Sequence, residues 1–144
     1  DRIRWFGKGP HETMEDRQAG GRIGIHSLTV EEAVHDYLYP QENGNRTQVR
    51  WVEFTDGEGR GLRFKDAGGT LLNFSAWPYT AEDLHRARHI HELPRRENIT
   101  VNIDYRQKGA GGSVPGLLVL LDKYKLKPWR LYRYSFTIKG IEKG

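Results

Sequence analysis

Tyr39-Pro40-Gln41-Glu42-Asn43-Gly44-Asn45-Arg46 is a polar loop set between two segments that alternate like strands, and the second of these is Gln48-Val49-Arg50-Trp51-Val52-Glu53-Phe54. The loop reads as a turn because Pro fixes φ and Asn-Gly tolerates the positive φ of a primed turn. The segment behind it alternates polar and apolar residues, as a half-buried strand does when successive side chains point to opposite faces. Similar polar clusters recur at Gly7-Lys8-Gly9-Pro10-His11-Glu12 and Gly109-Ala110-Gly111-Gly112. Polar loops at strand ends are where a β scaffold keeps its binding groups.

The same period of two runs through residues 2–6, 61–65, 71–75, 100–105 and 130–138, with turns at 56–59 and 66–69. The expected fold is all-β, mainly antiparallel, with two packed sheets. Residues 79–88 break the pattern: Thr80 can cap a helix and Asp83 sits at the capping-box position, so one short helix is expected near 80–88. Residues 29–34 also begin with a usable Thr cap, but their β-branched residues weigh against a helix.

At 144 residues the chain suits one domain, or one piece of one. Mean hydropathy is low at −0.77, yet four Trp, seven Tyr and five Phe supply enough bulky apolar surface for a globular core. The absence of Cys excludes a disulfide framework, a thiolate metal site and a Cys nucleophile. The net charge of +4 is dispersed rather than gathered into a stripe, which argues against a nucleic-acid partner. The longest apolar run, residues 117–121, is too short to span a bilayer, and no charged-then-apolar leader opens the sequence, so no membrane partner is expected. The chain opens on residues that read as a strand already under way, as a fragment of a longer protein would.

Several groups carry candidate chemistry. Glu42, Asn43 and Arg46 can hydrogen-bond a ligand, or Glu42 and Arg46 can satisfy each other and the turn backbone, and the second reading is preferred. His11 and Glu12 can form a ligand-binding or acid/base pair, against the simpler role of a fixed Gly-Pro turn. His89 and His91, flanked by Arg88 and Glu92, can point to one side of an extended stretch as metal ligands. A third ligand with suitable spacing is missing, so structural hydrogen bonding is expected and no metal site. Trp5, Trp51 and Trp77 are read as core or interdomain packing, and residues 57–61 as a turn without phosphate-loop spacing.

Taken in order, six landmarks resemble the C-terminal sandwich domain of bacterial β-galactosidases of glycoside hydrolase family 2. They are Gly7 to Glu12 with Asp16-Arg17; Tyr39 to Gly44; Asn73-Phe74-Ser75 with Tyr79-Thr80; His89-Ile90-His91-Glu92-Leu93; Asn102-Ile103-Asp104 with Gly109 to Gly112; and Tyr132-Arg133-Tyr134-Ser135-Phe136. The resemblance implies that residues 1–144 are the C-terminal part of a galactose-mutarotase-like β-supersandwich in a larger enzyme. The implied parent hydrolyses terminal β-galactosides such as lactose with retention, using two glutamates on a separate barrel that this chain lacks. It also implies magnesium and sodium or potassium ions at that barrel, no cofactor and no catalytic residue in this chain, and a homo-oligomeric full-length protein. The implied location is the cytoplasm, with the periplasm as the alternative.

In the family, a Trp in the loop after the double glycine gives the sugar an apolar platform. Here that position falls on Gly116, within Ser113-Val114-Pro115-Gly116, so the platform is lost, through divergence or a reading-frame disturbance over 113–121. Trp129 is the candidate replacement, and Glu42, Asn43, Arg46 and His11, the last with Glu12, are the sugar contacts that the resemblance brings into question. The expected role is a noncatalytic domain packing beside the barrel and helping form the galactoside site. An autonomous carbohydrate-binding module is the alternative. A mutarotase-like epimerase, with His11 acting alongside Glu12 or Glu42, is the third reading.

Overall fold

The computed structural model describes residues 1–111 and 119–142. Among the described residues the eight strands are β1 Arg2–Gly9, β2 Arg22–Thr29, β3 Arg46–Val49, β4 Trp51–Thr55, β5 Gly61–Asp66, β6 Leu72–Trp77, β7 Thr100–Asp104 and β8 Phe136–Ile141. They form two antiparallel sheets, one of five strands in the order β2-β1-β4-β5-β8 and one of three in the order β3-β6-β7. Helices α1 Val30–Ala33 and α2 Ala81–Arg86 complete the frame, with 3₁₀ turns at Ile90–Glu92 and Asp122–Tyr124.

The sheets pack through one apolar layer. Ile3, Trp5, Val52 and Phe54 of the larger sheet meet Val49, Leu72, Phe74 and Ala76 of the smaller one. Phe74 sits edge-on to both Trp5 and Phe54, at centroid distances of 5.5 and 6.0 Å. Full burial of a ring such as Phe74 contributes about 2 to 3 kcal/mol, which makes this layer the main source of sheet-on-sheet attraction. Trp77, Tyr79 and Leu84 form a second cluster around the start of α2.

Cross-strand register shows how far the smaller sheet covers the larger. One row of the inner face runs Leu28, Ile3, Phe54, Leu62, and the next runs His26, Trp5, Val52, Phe64, Ile138. Ile3, Trp5 and Val52 have no exposed surface, whereas Leu62 is 47% and Ile138 59% exposed. The larger sheet therefore overhangs its cover on the β5 and β8 side. On its outer face, Trp51 is flanked by the Arg4 and Arg63 guanidiniums at 5.6 and 4.4 Å, both of which also pair with Glu53.

Several expectations are corrected. Residues 48–54 do not form one strand: β3 belongs to the smaller sheet and β4 to the larger. Gln48 takes φ +54 and the β3 register shifts between Arg46 and Val49, so the chain changes sheets around Arg50. Arg50 stays bonded to the larger sheet, donating its N–H to Phe6 and accepting from Asp66. The Tyr39 to Arg46 loop is not a hairpin turn, since α1 and irregular chain precede it. Its Gly44 nonetheless takes φ +72, and a Cβ there would lie 2.6 Å from the Ala33 carbonyl oxygen.

Residues 29–34 do contain a helical turn, because Glu32 completes a capping box with Thr29 and outweighs the β-branched residues. β2 lies in a stretch with no strand expectation. Its Ile23 and Ile25 face outward while Gly24 and His26 face the core layer, which inverts the usual pattern. The last strand starts at Phe136 rather than near residue 130. Residues 131–135 instead set Tyr132 and Tyr134 against Tyr105, and the Tyr134 hydroxyl donates to the Ile103 carbonyl. The α2 capping box at Thr80 and Asp83 and the turns at 56–59 and 66–69 are as expected.

Candidate functional site

Of the three loops flagged by their polar composition, the second and third converge on the first, in the segment that follows β1. Glu12 accepts from the Tyr37 hydroxyl and from the Gly44 N–H, tying residues 34–45 to this segment. Thr13 extends the tie: its N–H donates to the Asn45 carbonyl at 2.8 Å and the Asn45 side chain donates to the Thr13 carbonyl at 2.9 Å. Its hydroxyl, fully buried, accepts from Thr47 N–H and contacts the Thr47 hydroxyl. The third loop joins through Asp16, whose carboxylate accepts from Ala110 N–H at 2.8 Å and Gly111 N–H at 2.7 Å, while Arg17 donates to the Gly111 carbonyl. Gly109 is needed at this junction, because a Cβ there would lie 2.7 Å from Asp16 Cγ and from Leu120 Cδ1.

Arg46 is the electrostatic centre of the cluster. Only 2% exposed, it donates from Nε to the Pro10 carbonyl at 3.0 Å and from Nη1 to the carbonyls of Ala33 and Gly44. Burial pushes its guanidinium down to about 10, against the opposing pull of the Glu12 charge, so it stays a cation at neutral pH. Tyr37 is pushed up to about 12 by burial and by its bond to Glu12. Desolvation pushes the Asp16 carboxyl up, but the Gly111 and Ala110 N–H bonds prevail and bring it below its ordinary value.

The sugar-binding candidates are placed unevenly. Asn43 is 5% exposed and its amide is occupied by the Gln41 carbonyl, the Tyr79 hydroxyl and the His35 N–H. Arg46 is buried as described, with Glu12 rather than Glu42 as the facing carboxylate. The expected Glu42–Arg46 pair is therefore corrected, and Glu42 itself is exposed. His11 is exposed beside Gly20, while the carboxylate of neighbouring Glu12 is engaged by Tyr37 and Gly44. Trp129 is 81% exposed, with Lys127 Nζ 5.8 Å from its ring. Gly116 lies outside the described residues. Trp5 and Trp77 are core, donating to the carbonyls of Lys8 and Asn43.

Asp16, Thr13 and Tyr37, none of them nominated for sugar contact, share the loop architecture with Arg46 and Asn43. Asp16 was visible only as a landmark beside Arg17, because its partners lie 94 and 95 residues away. His89 and His91 sit not on an extended stretch but at the start of a 3₁₀ turn, their rings stacked at 5.4 Å. Glu92 supplies the third group missing from the His spacing: one ligand atom from each of the three lies within 4.8 Å of the others.

The fold and this loop cluster define a β-sandwich domain whose buried polar groups hold its loops to one another. The chain belongs to the β-galactosidase small-chain family, whose model matches residues 1–138. It is 37% identical over 141 residues to a β-galactosidase of Priestia megaterium, covering 98% of this chain and 13% of that protein. A β-galactosidase of Halalkalibacterium halodurans is 33% identical over 141 residues, at 98% and 14% coverage. One from Lactobacillus delbrueckii subsp. bulgaricus is 42% identical over 110 residues, at 76% and 10%. The chain thus spans about a tenth to a seventh of the length of these relatives.

Proposed function

We propose that this chain is a noncatalytic β-sandwich domain of a β-galactosidase, packing beside the catalytic barrel and helping to form the galactoside site. The observation that carries this reading is the uncovered part of the inner face. A groove of about 410 Å³ lined by Phe54, Leu62, Phe64, Ile99 and Val101 opens where the five-stranded sheet overhangs the three-stranded one. Asp1, Asp56, Arg60 and Glu97 also line this groove, and apolar surface bordered by charged groups favours an interface over water. β7 adds an edge with a neighbouring strand on one side only among the described residues. Both features suit a domain seated in a protein several times its length.

The chain alone, assayed on a chromogenic β-galactoside, is expected to show no turnover, and robust turnover overturns the proposal. Exposed Trp129 favours a second reading as an autonomous sugar-binding module. Calorimetric titration with galactose and lactose separates the two, since binding tighter than about millimolar supports the module.

A further inference from the structure

We propose that His89, His91 and Glu92 form a binding site for a borderline divalent transition metal ion, with Zn²⁺ the best match to two imidazoles and a carboxylate. The donor set fits the ion: imidazole suits zinc, copper and nickel, and a carboxylate oxygen completes a common zinc shell. It does not suit magnesium or sodium, which take oxygen ligands.

The geometry is held by the fold rather than by the side chains alone. Glu92 closes the 3₁₀ turn Ile90–Glu92, and its Oε2 accepts from Arg88 N–H at 2.7 Å and from His89 N–H at 3.4 Å. Those bonds fix the carboxylate and turn Oε1 towards the His89 ring, whose Nδ1–H donates to it at 3.2 Å. An ionised carboxylate has no proton to give, so the proton between them belongs to the imidazole. In tetrahedral zinc, with ligand distances of about 2.0 to 2.1 Å, two donor atoms stand about 3.3 Å apart. The His89 Nδ1 to Glu92 Oε1 separation already matches that edge, and a metal ion takes the place of the bridging proton, which leaves to solvent.

His91 supplies the third corner. Its ring lies nearly parallel to that of His89, at an interplanar angle of 18°, with its nearest ligand nitrogen inside the 4.8 Å envelope. Bringing that nitrogen to a tetrahedral edge of about 3.3 Å from the other donors needs a shift of up to about 1.5 Å and a rotation of the exposed His91 ring, since an imidazole binds metal in its own plane. Solvent water takes the fourth position. All three residues are exposed, so the site is open to metal without rearrangement of the core.

Titration of the full chain with Zn²⁺ alone by calorimetry is expected to give one site with a dissociation constant in the micromolar range. Co²⁺ in the same site is expected to show the visible absorption of a tetrahedral ion. His91→Gln is expected to weaken Zn²⁺ binding by about tenfold or more, Glu92→Gln likewise, and His85→Gln to leave it unchanged. Circular dichroism and tryptophan fluorescence verify that each variant is folded. Zn²⁺ affinity unchanged in folded His91→Gln, or an octahedral Co²⁺ spectrum, overturns the proposal.

Discussion

Replacing Arg46 with Ala tests whether one buried cation holds the loop cluster together. The side chain makes three hydrogen bonds to carbonyls, from Nε to Pro10 and from Nη1 to Ala33 and Gly44. A hydrogen bond to a charged group contributes about 1.5 to 3 kcal/mol, and two of these share one nitrogen, so the set amounts to slightly less than three times the lower figure, about 4 kcal/mol. The guanidinium also lies 5.5 Å from the Trp5 ring centroid, a contact that adds up to about 1 kcal/mol. Arg46→Ala is therefore expected to destabilise the chain by about 4 to 5 kcal/mol, a large part of the 5 to 15 kcal/mol typical of a domain.

Urea unfolding followed by tryptophan fluorescence reads this directly, since Trp5 and Trp77 are buried. With a slope of about 2 kcal/mol per molar urea, the midpoint is expected to fall by about 2 M. Arg46→Lys keeps the charge but not the fork and is expected to lose about half as much. Because the Glu12 charge faces Arg46, the double variant with Glu12→Gln is expected to cost less than the sum of the single changes. A loss below about 1 kcal/mol in Arg46→Ala would falsify the reasoning, since water would then serve those carbonyls as well as the guanidinium does.

Two further perturbations probe the neighbouring structure. Asp83 is held well below the usual carboxylate range by its side-chain bonds from Arg96 and then by the Thr80 N–H, so its contribution is complete above about pH 4 and is lost as the pH falls through the depressed folded value. Asp83→Asn is expected to be less stable than the parent near neutrality, with the gap closing on acidification in pH-dependent unfolding; a gap independent of pH would contradict this. Gly109→Ala is expected to dislodge Asp16 from Ala110 and Gly111 and cost about 1 to 2 kcal/mol in thermal unfolding. In an Asp16→Ala background the same change is expected to cost less, because only the Leu120 Cδ1 contact remains, and an equal cost in both backgrounds would locate the strain at Leu120.

Much of the architecture was legible because its causes are local. Period-two alternation marked β1, β5, β6 and β7, and Thr80 with Asp83 marked α2, each through residues a few positions apart. The division of residues 48–54 between two sheets also leaves a trace, since Trp51 and Val52 are consecutive apolar residues that interrupt the alternation. β2 escaped because its two isoleucines face away from the core layer, so composition pointed the wrong way. The candidate site was less legible. The loops could be named from Gly, Pro and Asn, but the carboxylate facing Arg46 could not be chosen from the sequence.

The sequence by itself determined that the chain is built of antiparallel strands and polar turns, and its ordered landmarks carried the family resemblance. Those signals depend on backbone preference and on which side of a strand a residue occupies, and both are properties of neighbouring residues. Only the tertiary structure decided that Glu12 rather than Glu42 faces Arg46, that Asp16 reaches Ala110 and Gly111, and that Glu92 joins His89 and His91. It also decided that Leu62 and Ile138 stand beyond the cover of the smaller sheet. Most of these outcomes depend on distances between segments far apart in the chain. The His89–Glu92 grouping depends instead on a one-turn backbone conformation that the extended reading of those residues did not contain.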